Sequence, residues 1–432
     1  MENQNFERPQ SFFQTTTAKM IMVGILTLVL LIPLEFVQEL ITERSQRQKE
    51  VVAETTSKWG ESVYFYGPIL KIPYKDPITS KIENAYFFPE KLNHNSTTEI
   101  KTPLQRSIYK SNVFTTKMEF DGNYSNPDFS KKSVPNENIF WDKTSIIIRT
   151  TNLKSVKDEV KIKMGNTNYT FEPIRNTQVN DSIESLETGY IDFNAIKNAN
   201  FNLAITYNGS KRISIAPIGK TTNAKMTSNW ASPNFNGSFI PNDKQITDKG
   251  FNASWKISHF NRPFAQENFE ALPDVSKYAF AVDFITPVDE YQQNERASKY
   301  GFLVIGLTFL IFFLIQSISK ISIHIFQYVM IGIALIMFYT LLISITEHSS
   351  FGLAYAIAGT SVVALISLYS ISILKDKKFP AFIGIALSVL YTFIYVIIQL
   401  EDYALLVGSI GLFFILAAVM YFSRKIEWNK QN

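Results

Sequence analysis

The chain has 432 residues, of which 46% are hydrophobic and 19% charged. Lys and Arg number 42 against 38 Asp and Glu, and the resulting charge of +4 is too slight to argue for a nucleic-acid partner. There is no cysteine, which excludes a disulfide scaffold and thiolate chemistry, while 35 Phe, 20 Tyr and 5 Trp exclude general disorder.

The apolar residues gather at the two ends of the chain. About 20 consecutive apolar residues span a hydrocarbon core of roughly 30 Å, and residues 20–41 form the first such run. Its charge-then-apolar start fits a signal peptide, but no small-x-small cleavage site follows, so it reads as an uncleaved anchor. Residues 42–59 are charged and lack Gly and Pro, with Glu43 and Arg47 at a favourable i, i+4 spacing. The first helix is therefore expected to continue as a stalk that stops near Trp59-Gly60.

Short alternating runs follow, at 145–149, 160–164, 202–207 and 212–216, interrupted by Pro, Gly and Asn turns. They predict an antiparallel sandwich or barrel rather than βαβ units, with a short helical stretch around 193–198. Asn-x-Ser/Thr triplets at Asn95, Asn123, Asn168, Asn208, Asn236 and Asn252 are what an Asn-rich chain produces by chance. The absence of cysteine favours a bacterial envelope protein.

Five more apolar runs close the chain, at 300–318, 327–345, 351–374, 381–398 and 403–422. Between Gly301 and Ser423 the charged residues are Lys320, Glu347, Lys375, Asp376, Lys377, Lys378, Glu401 and Asp402, all in predicted loops. The predicted fold is a membrane α-helical bundle, one N-terminal plus five C-terminal transmembrane helices, with a large all-β-rich extracytoplasmic domain. Its parts are a cytoplasmic N-terminus (1–19), transmembrane helix one (20–41), a stalk (42–59), a periplasmic β-rich domain (60–298), a five-helix bundle (300–422) and a cytoplasmic C-terminus (423–432).

Orientation follows from the short loops. Arg8, Lys19, Lys320, Lys375, Lys377, Lys378, Arg424, Lys425 and Lys430 all fall on one side, whereas 347–350 and 399–402 hold no Lys or Arg. The positive-inside rule assigns the basic side to the cytoplasm, with residues of about 45–298 periplasmic.

Chemistry is sparse. His94, His259, His324 and His348 lie at no metal-binding spacing, and no nucleophile elbow, phosphate loop or dinucleotide fingerprint occurs. No catalytic, metal or cofactor residue is expected, and no small-molecule ligand. Gly301–Gly306, Gly408–Gly411 and Ala354–Ala358 read as places where helices approach closely.

One constellation is ionic. Glu35, Glu39 and Glu43 share a helix face, and Glu35 lies about 23 Å from Met20 at a rise of ~1.5 Å per residue, deep for a carboxylate. Arg296, Lys299, Glu347, His348, Glu401 and Asp402 fall at the same predicted level. Three readings stand: a polar belt that fixes helix depth, a Glu35–Lys299 latch tying domain to bundle, or an ion or proton path. For the last, only neutral Thr308, Gln316, Thr340, Ser361, Ser367 and Thr392 punctuate the helices.

The chain also resembles the bacterial inner-membrane CreD family, linked to cell-envelope integrity. The matching stretches are LIPLEFVQELITER (31–44), Trp59-Gly60 with GPILKIP (67–73), WASPNFNGSFIP (230–241), GFNASW (250–255), PVDEYQQNERASKYG (287–301), 327–351 with SITEH (344–348), and QLEDYALLVG (399–408) with MYFSRKIEW (420–428). Residues 84–136 match least. The resemblance implies an inner-membrane protein linked to a two-component regulatory system and to altered tolerance of colicins and β-lactams, with no catalytic residues to carry over. The expected function is a non-enzymatic envelope protein whose β domain senses or binds an envelope protein partner. A transporter or channel component is the alternative. An enzyme acting on peptidoglycan or lipid would need paired carboxylates in an external cleft.

Overall fold

The computed structural model describes residues 16–101, 104–106, 109–174, 183–196, 199–269, 271–284, 290–319, 321–374, 378–400 and 403–424. The chain divides into two compact units, one of residues 1–49 with 288–432 and one of residues 50–287.

Helix α1 (Thr16–Trp59) is unbroken over 44 residues, with Pro33 inside it. The change from apolar to charged sequence near residue 42 therefore occurs within one helix, as expected, and the helix ends one residue before Gly60. The first unit continues with α2 (Glu290–Lys299), α3 (Gly301–Ser319), α4 (Ile325–Thr346), α5 (Phe351–Leu374), α6 (Lys378–Gln399) and α7 (Ala404–Ser423). Six of these helices, all but α2, are long and apolar enough to cross a membrane. Their bounds lie within about one turn of the runs read from the sequence, because a bilayer-length apolar run signals its own element.

Helix α2 was not anticipated. It belongs with the bundle unit, although residues 290–298 were expected in the external domain. Its ten residues are polar overall, but Tyr291, Asn294, Ala297 and Ser298 are buried at helical spacing, and it packs on α3, α4, α5 and α6.

Two glycines let α1 approach the bundle. A Cβ on Gly301 would meet the Leu34 side chain at 2.8 Å, and one on Gly332 would meet Leu30 at 2.2 Å. Gly306, expected to serve this purpose, has open space around it. Further in, α4, α5 and α6 meet around aromatic rings: Phe338 lies 4.6 Å from Tyr391 and 5.2 Å from Tyr355. The Tyr355 hydroxyl donates to the Tyr391 carbonyl at 2.8 Å, so its burial is compensated.

In the second unit sixteen strands join into one sheet that folds over on itself. The strand Thr167–Ile174 is shared between the halves, pairing with Lys161–Met164 on one edge and Glu184–Thr188 on the other. Rings close the interior between the halves: Phe65 stacks on Phe120 at 4.2 Å, Trp255 on Phe280 at 4.9 Å, and Phe114 lies 5.0 Å from Phe284. This is a sandwich. The four strands read from the sequence are present, and Phe193–Ala195 is a single 3-10 turn.

The sheet is mixed rather than purely antiparallel. Val63–Lys75 runs parallel to Arg212–Ile215, and Lys91–Ile100 runs parallel to Thr221–Ser228. Alternation encodes which face of a strand is buried and says nothing about the direction of its partner, so these distant pairings were not legible.

Two buried polar residues mark the sandwich interior. Arg262 has no carboxylate among its described contacts; its guanidinium donates to the carbonyls of Ile218 at 2.9 Å, Gly219 at 3.1 Å and Phe264 at 3.0 Å, and to the Gln266 side chain. Burial pushes its pKa down to about 10. His94 is buried beside Phe120, 4.5 Å between ring centroids, and neither ring nitrogen makes a well-formed hydrogen bond. Burial holds its pKa down at about 3, and the neighbouring Glu119 backbone offsets this only in part.

A pH dependence follows. Below the ordinary histidine value of about 6.5 the unfolded chain binds a proton that the fold refuses, so His94 contributes stability above that pH that is lost as pH falls toward 3. Two pH units below 6.5 the loss is about 3 kcal/mol. Thermal unfolding of the full chain at pH 7.5 and 4.5 checks this: His94→Phe is expected to show a clearly smaller acid shift than the parent protein.

Candidate functional site

On α1, Leu30, Leu34, Gln38, Ile41 and Ser45 follow one another at i+3 and i+4 and share a face. Leu34, Ile41 and Ser45 are buried, and Gln38 Nε2 donates to the Ser298 carbonyl of α2 at 3.0 Å. One turn beyond, Arg44 reaches Glu347 at 3.7 Å. Glu347 caps the C-terminus of α4, where the helix dipole disfavours a carboxylate. Arg44 offsets that charge, so the pair ties the extension of α1 to the end of α4.

The other sequence-selected residues are placed differently. Glu35 and Glu39 are exposed, on the face of α1 away from Leu34 and Ile41. Lys299 pairs with Glu295 at 2.9 Å, one turn back on α2, rather than with Glu35 as the latch reading has it. Arg296 is half-buried and His348 is exposed just past α4. Glu401 and Asp402 lie outside the described residues. Asn294, missed by sequence reasoning, is fully buried, donating to the Glu290 carbonyl at 2.8 Å while its Oδ1 has no hydrogen-bond partner among the described residues. Its signal would have been the Tyr291–Asn294–Ala297–Ser298 periodicity. Among the described residues, the contacts of this collar tie α1 to α2 and α4.

The second unit offers a broader feature. On the outward side of one half-sheet the register aligns Asn202, Asp121, Asn93, Asn223 and Lys256 in a row across five strands. The next row is Ala204, Glu119, Asn95, Lys225, Ser254 and Asp243. Asn93 donates to Asp121 at 2.8 Å and accepts from Asn223 at 3.1 Å, so these three side chains of the first row are joined by hydrogen bonds. A shallow groove of about 580 Å³ runs here, lined among others by Asp121, Lys225, Asp243 and Lys256. Amides, carboxylates and ammonium groups thus share one flat face. From the sequence only the abundance of Asn was visible, because the strands that align these side chains are far apart in the chain.

Among the described residues no three His, Asp or Glu side chains come together as a metal-ligand set. Likeness to solved structures is low: a putative nutrient-binding protein from Legionella pneumophila is 10% identical, with 57% of this chain and 80% of that one covered at a TM-score of 0.27. An M1 zinc metallopeptidase from Deinococcus radiodurans is 8% identical, with 80% and 95% covered at 0.22. Neither carries an argument about fold or activity. The family described as inner membrane protein CreD matches residues 15–429. Inner membrane protein CreD of Escherichia coli (strain K12) is 27% identical over 418 residues, 93% of this chain and 91% of that protein. The chain belongs to the CreD family of membrane-embedded inner-membrane proteins.

The ion pair is open to a double-mutant cycle. Arg44→Glu is expected to lower the thermal midpoint and Arg44→Glu with Glu347→Arg to recover it, a coupling of about 0.5–1 kcal/mol for a partly exposed pair. Glu35→Lys with Lys299→Glu is expected to show no coupling beyond the sum of the single changes.

Proposed function

We propose that this CreD-family protein is a non-enzymatic component of the bacterial inner membrane that supports envelope integrity, with its sandwich exposed to the periplasm as a partner-binding module. The observation that carries the reading is the outward Asn93–Asp121–Asn223 face, where hydrogen-bonding groups are aligned by strand register yet left uncovered. Aligned amides and charges suit recognition of another polar envelope component.

In this reading both termini are cytoplasmic and the sorting of short-loop lysines and arginines sets that orientation. Six continuous helices and an aromatic bundle core support an anchoring role over a transport path, which draws on broken helices and mid-membrane charge.

Orientation is tested by cysteine labelling, which is clean because the native chain has none. In intact spheroplasts Asn202→Cys is expected to react with a membrane-impermeant maleimide and Ser423→Cys only after lysis; the reverse pattern refutes the arrangement. For the function, deletion of the gene is expected to sensitise cells to envelope stress. Complementation by Asn93→Ala/Asp121→Ala/Asn223→Ala is expected to fail although the protein accumulates normally. Full rescue by that variant contradicts a role for the face.

A further inference from the structure

The first turns of α1 and α4 and the last turn of α3 enclose a cavity of about 500 Å³. Val23, Leu26 and Ile323 give it apolar walls, and its polar groups are Lys19, Gln316, Ser322, His324 and Tyr328. Most of these groups present donors. Gln316 is only 4% exposed, and its Oε1 accepts from the Tyr328 hydroxyl at 3.3 Å. Its Nε2 has no partner among the described residues, and a buried donor left so is costly unless something in the cavity accepts from it. His324 caps α4: the Phe326 amide donates to its Nδ1 at 3.2 Å, so the proton of the neutral ring sits on Nε2. Lys19 is half-buried and makes no ion pair among the described residues, and Ser322 is exposed. Ile325, the first residue of the 22-residue α4, lines the same space, so the positive end of that helix opens on it.

An ammonium, an imidazole N–H, a hydroxyl, a free amide NH₂ and a helix N-terminus around one space, with no Asp or Glu in its lining, suit a phosphate. Position identifies the source. Lys19 immediately precedes the apolar run of residues 20–41, and α3 ends at Ser319. The donors therefore lie where hydrocarbon gives way to headgroups. Free phosphate would satisfy them but leave Val23, Leu26 and Ile323 against water. A phospholipid carries its phosphate next to hydrocarbon and answers both halves of the cavity.

We propose that this cavity binds the headgroup phosphate of an anionic phospholipid from the adjoining leaflet, with the start of an acyl chain against Val23 and Leu26. Gln316 Nε2 and His324 Nε2 donate to phosphate oxygens, and Lys19 supplies the opposing charge. A phosphatidylcholine brings the same phosphate, but its ammonium meets no carboxylate in the lining, so the net-anionic lipid is preferred. The bound lipid joins α1 to α3 and α4 at the end of the bundle away from the Arg44–Glu347 pair. The orientation proposed above makes this the cytoplasmic leaflet; binding itself does not depend on that orientation.

Native mass spectrometry of the purified full chain tests this, with palmitoyl-oleoyl phosphatidylglycerol and the matching phosphatidylcholine at equal concentration and inorganic phosphate as a third arm. The wild type is expected to prefer phosphatidylglycerol roughly tenfold, about fivefold from one lysine at a membrane surface and about twofold from the helix N-terminus. Lys19→Gln is expected to reduce the preference to about twofold, and Lys299→Gln, at the other end of the bundle, to leave it unchanged. Gln316→Leu is expected to weaken retention of both lipids about tenfold without changing their ratio, because both carry the phosphate. Leu26→Trp, which fills the cavity, is expected to lose both lipids with an unchanged thermal midpoint. If that variant unfolds, Ser322→Trp at the exposed rim gives the same reading. No preference in the wild type, an unchanged preference in Lys19→Gln, or lipid retention by a folded cavity-filling variant overturns the proposal. Displacement of the lipid by inorganic phosphate assigns the site to a free anion and also overturns it.

Discussion

Hydrocarbon does not solvate charge or an unpaired backbone group, and the organisation of this protein follows from that constraint. Every backbone donor and acceptor inside a bilayer has to be satisfied within its own element, which leaves helices as the form for segments of this length. The six long helices obey the rule, and among the described residues between Gly301 and Ser423 the charges lie at helix ends or between helices. Two of the polar groups that remain inside, the hydroxyls of Tyr355 and Ser370, turn back onto backbone carbonyls.

The same constraint explains why the middle of the chain takes another form. A sheet with free edges, outward rows of Asn and Lys, and a buried arginine solvated by carbonyls is built for water. Its stability comes from apolar rings buried between two half-sheets, an interior that the bilayer could not replace. α1 joins the two regimes in a single helix. Its leucines seat on glycines of α3 and α4, and its later turns exchange that packing for the Gln38 and Arg44 contacts.

Much of this was legible in the sequence, for physical reasons. A membrane helix is encoded by length and apolarity alone, so all six long helices were found close to their true bounds. Strands were found where alternation was clean, as at Asn200–Ser210. What could not be read depends on contacts between distant residues. The parallel pairings and the Asn93–Asp121–Asn223 row exist only once strands more than a hundred residues apart are registered. α2 was missed because its ten polar residues resemble a linker until its buried face is seen against the bundle. In the ionic collar, composition did not give the partners. Lys299 is taken by Glu295, its neighbour on the same helix, and Glu347 pairs with Arg44.

The central claim, that hydrocarbon shapes this fold, is tested most directly on α7, where no buried side chain keeps the helix dry. Nitroxide labels placed one at a time from Leu405 to Tyr421 in lipid nanodiscs report accessibility to oxygen and to a water-soluble relaxant. Oxygen accessibility is predicted to peak near Phe413 and Phe414, with the aqueous relaxant excluded there and returning at both ends. Uniform access of the aqueous relaxant along the helix would contradict the account.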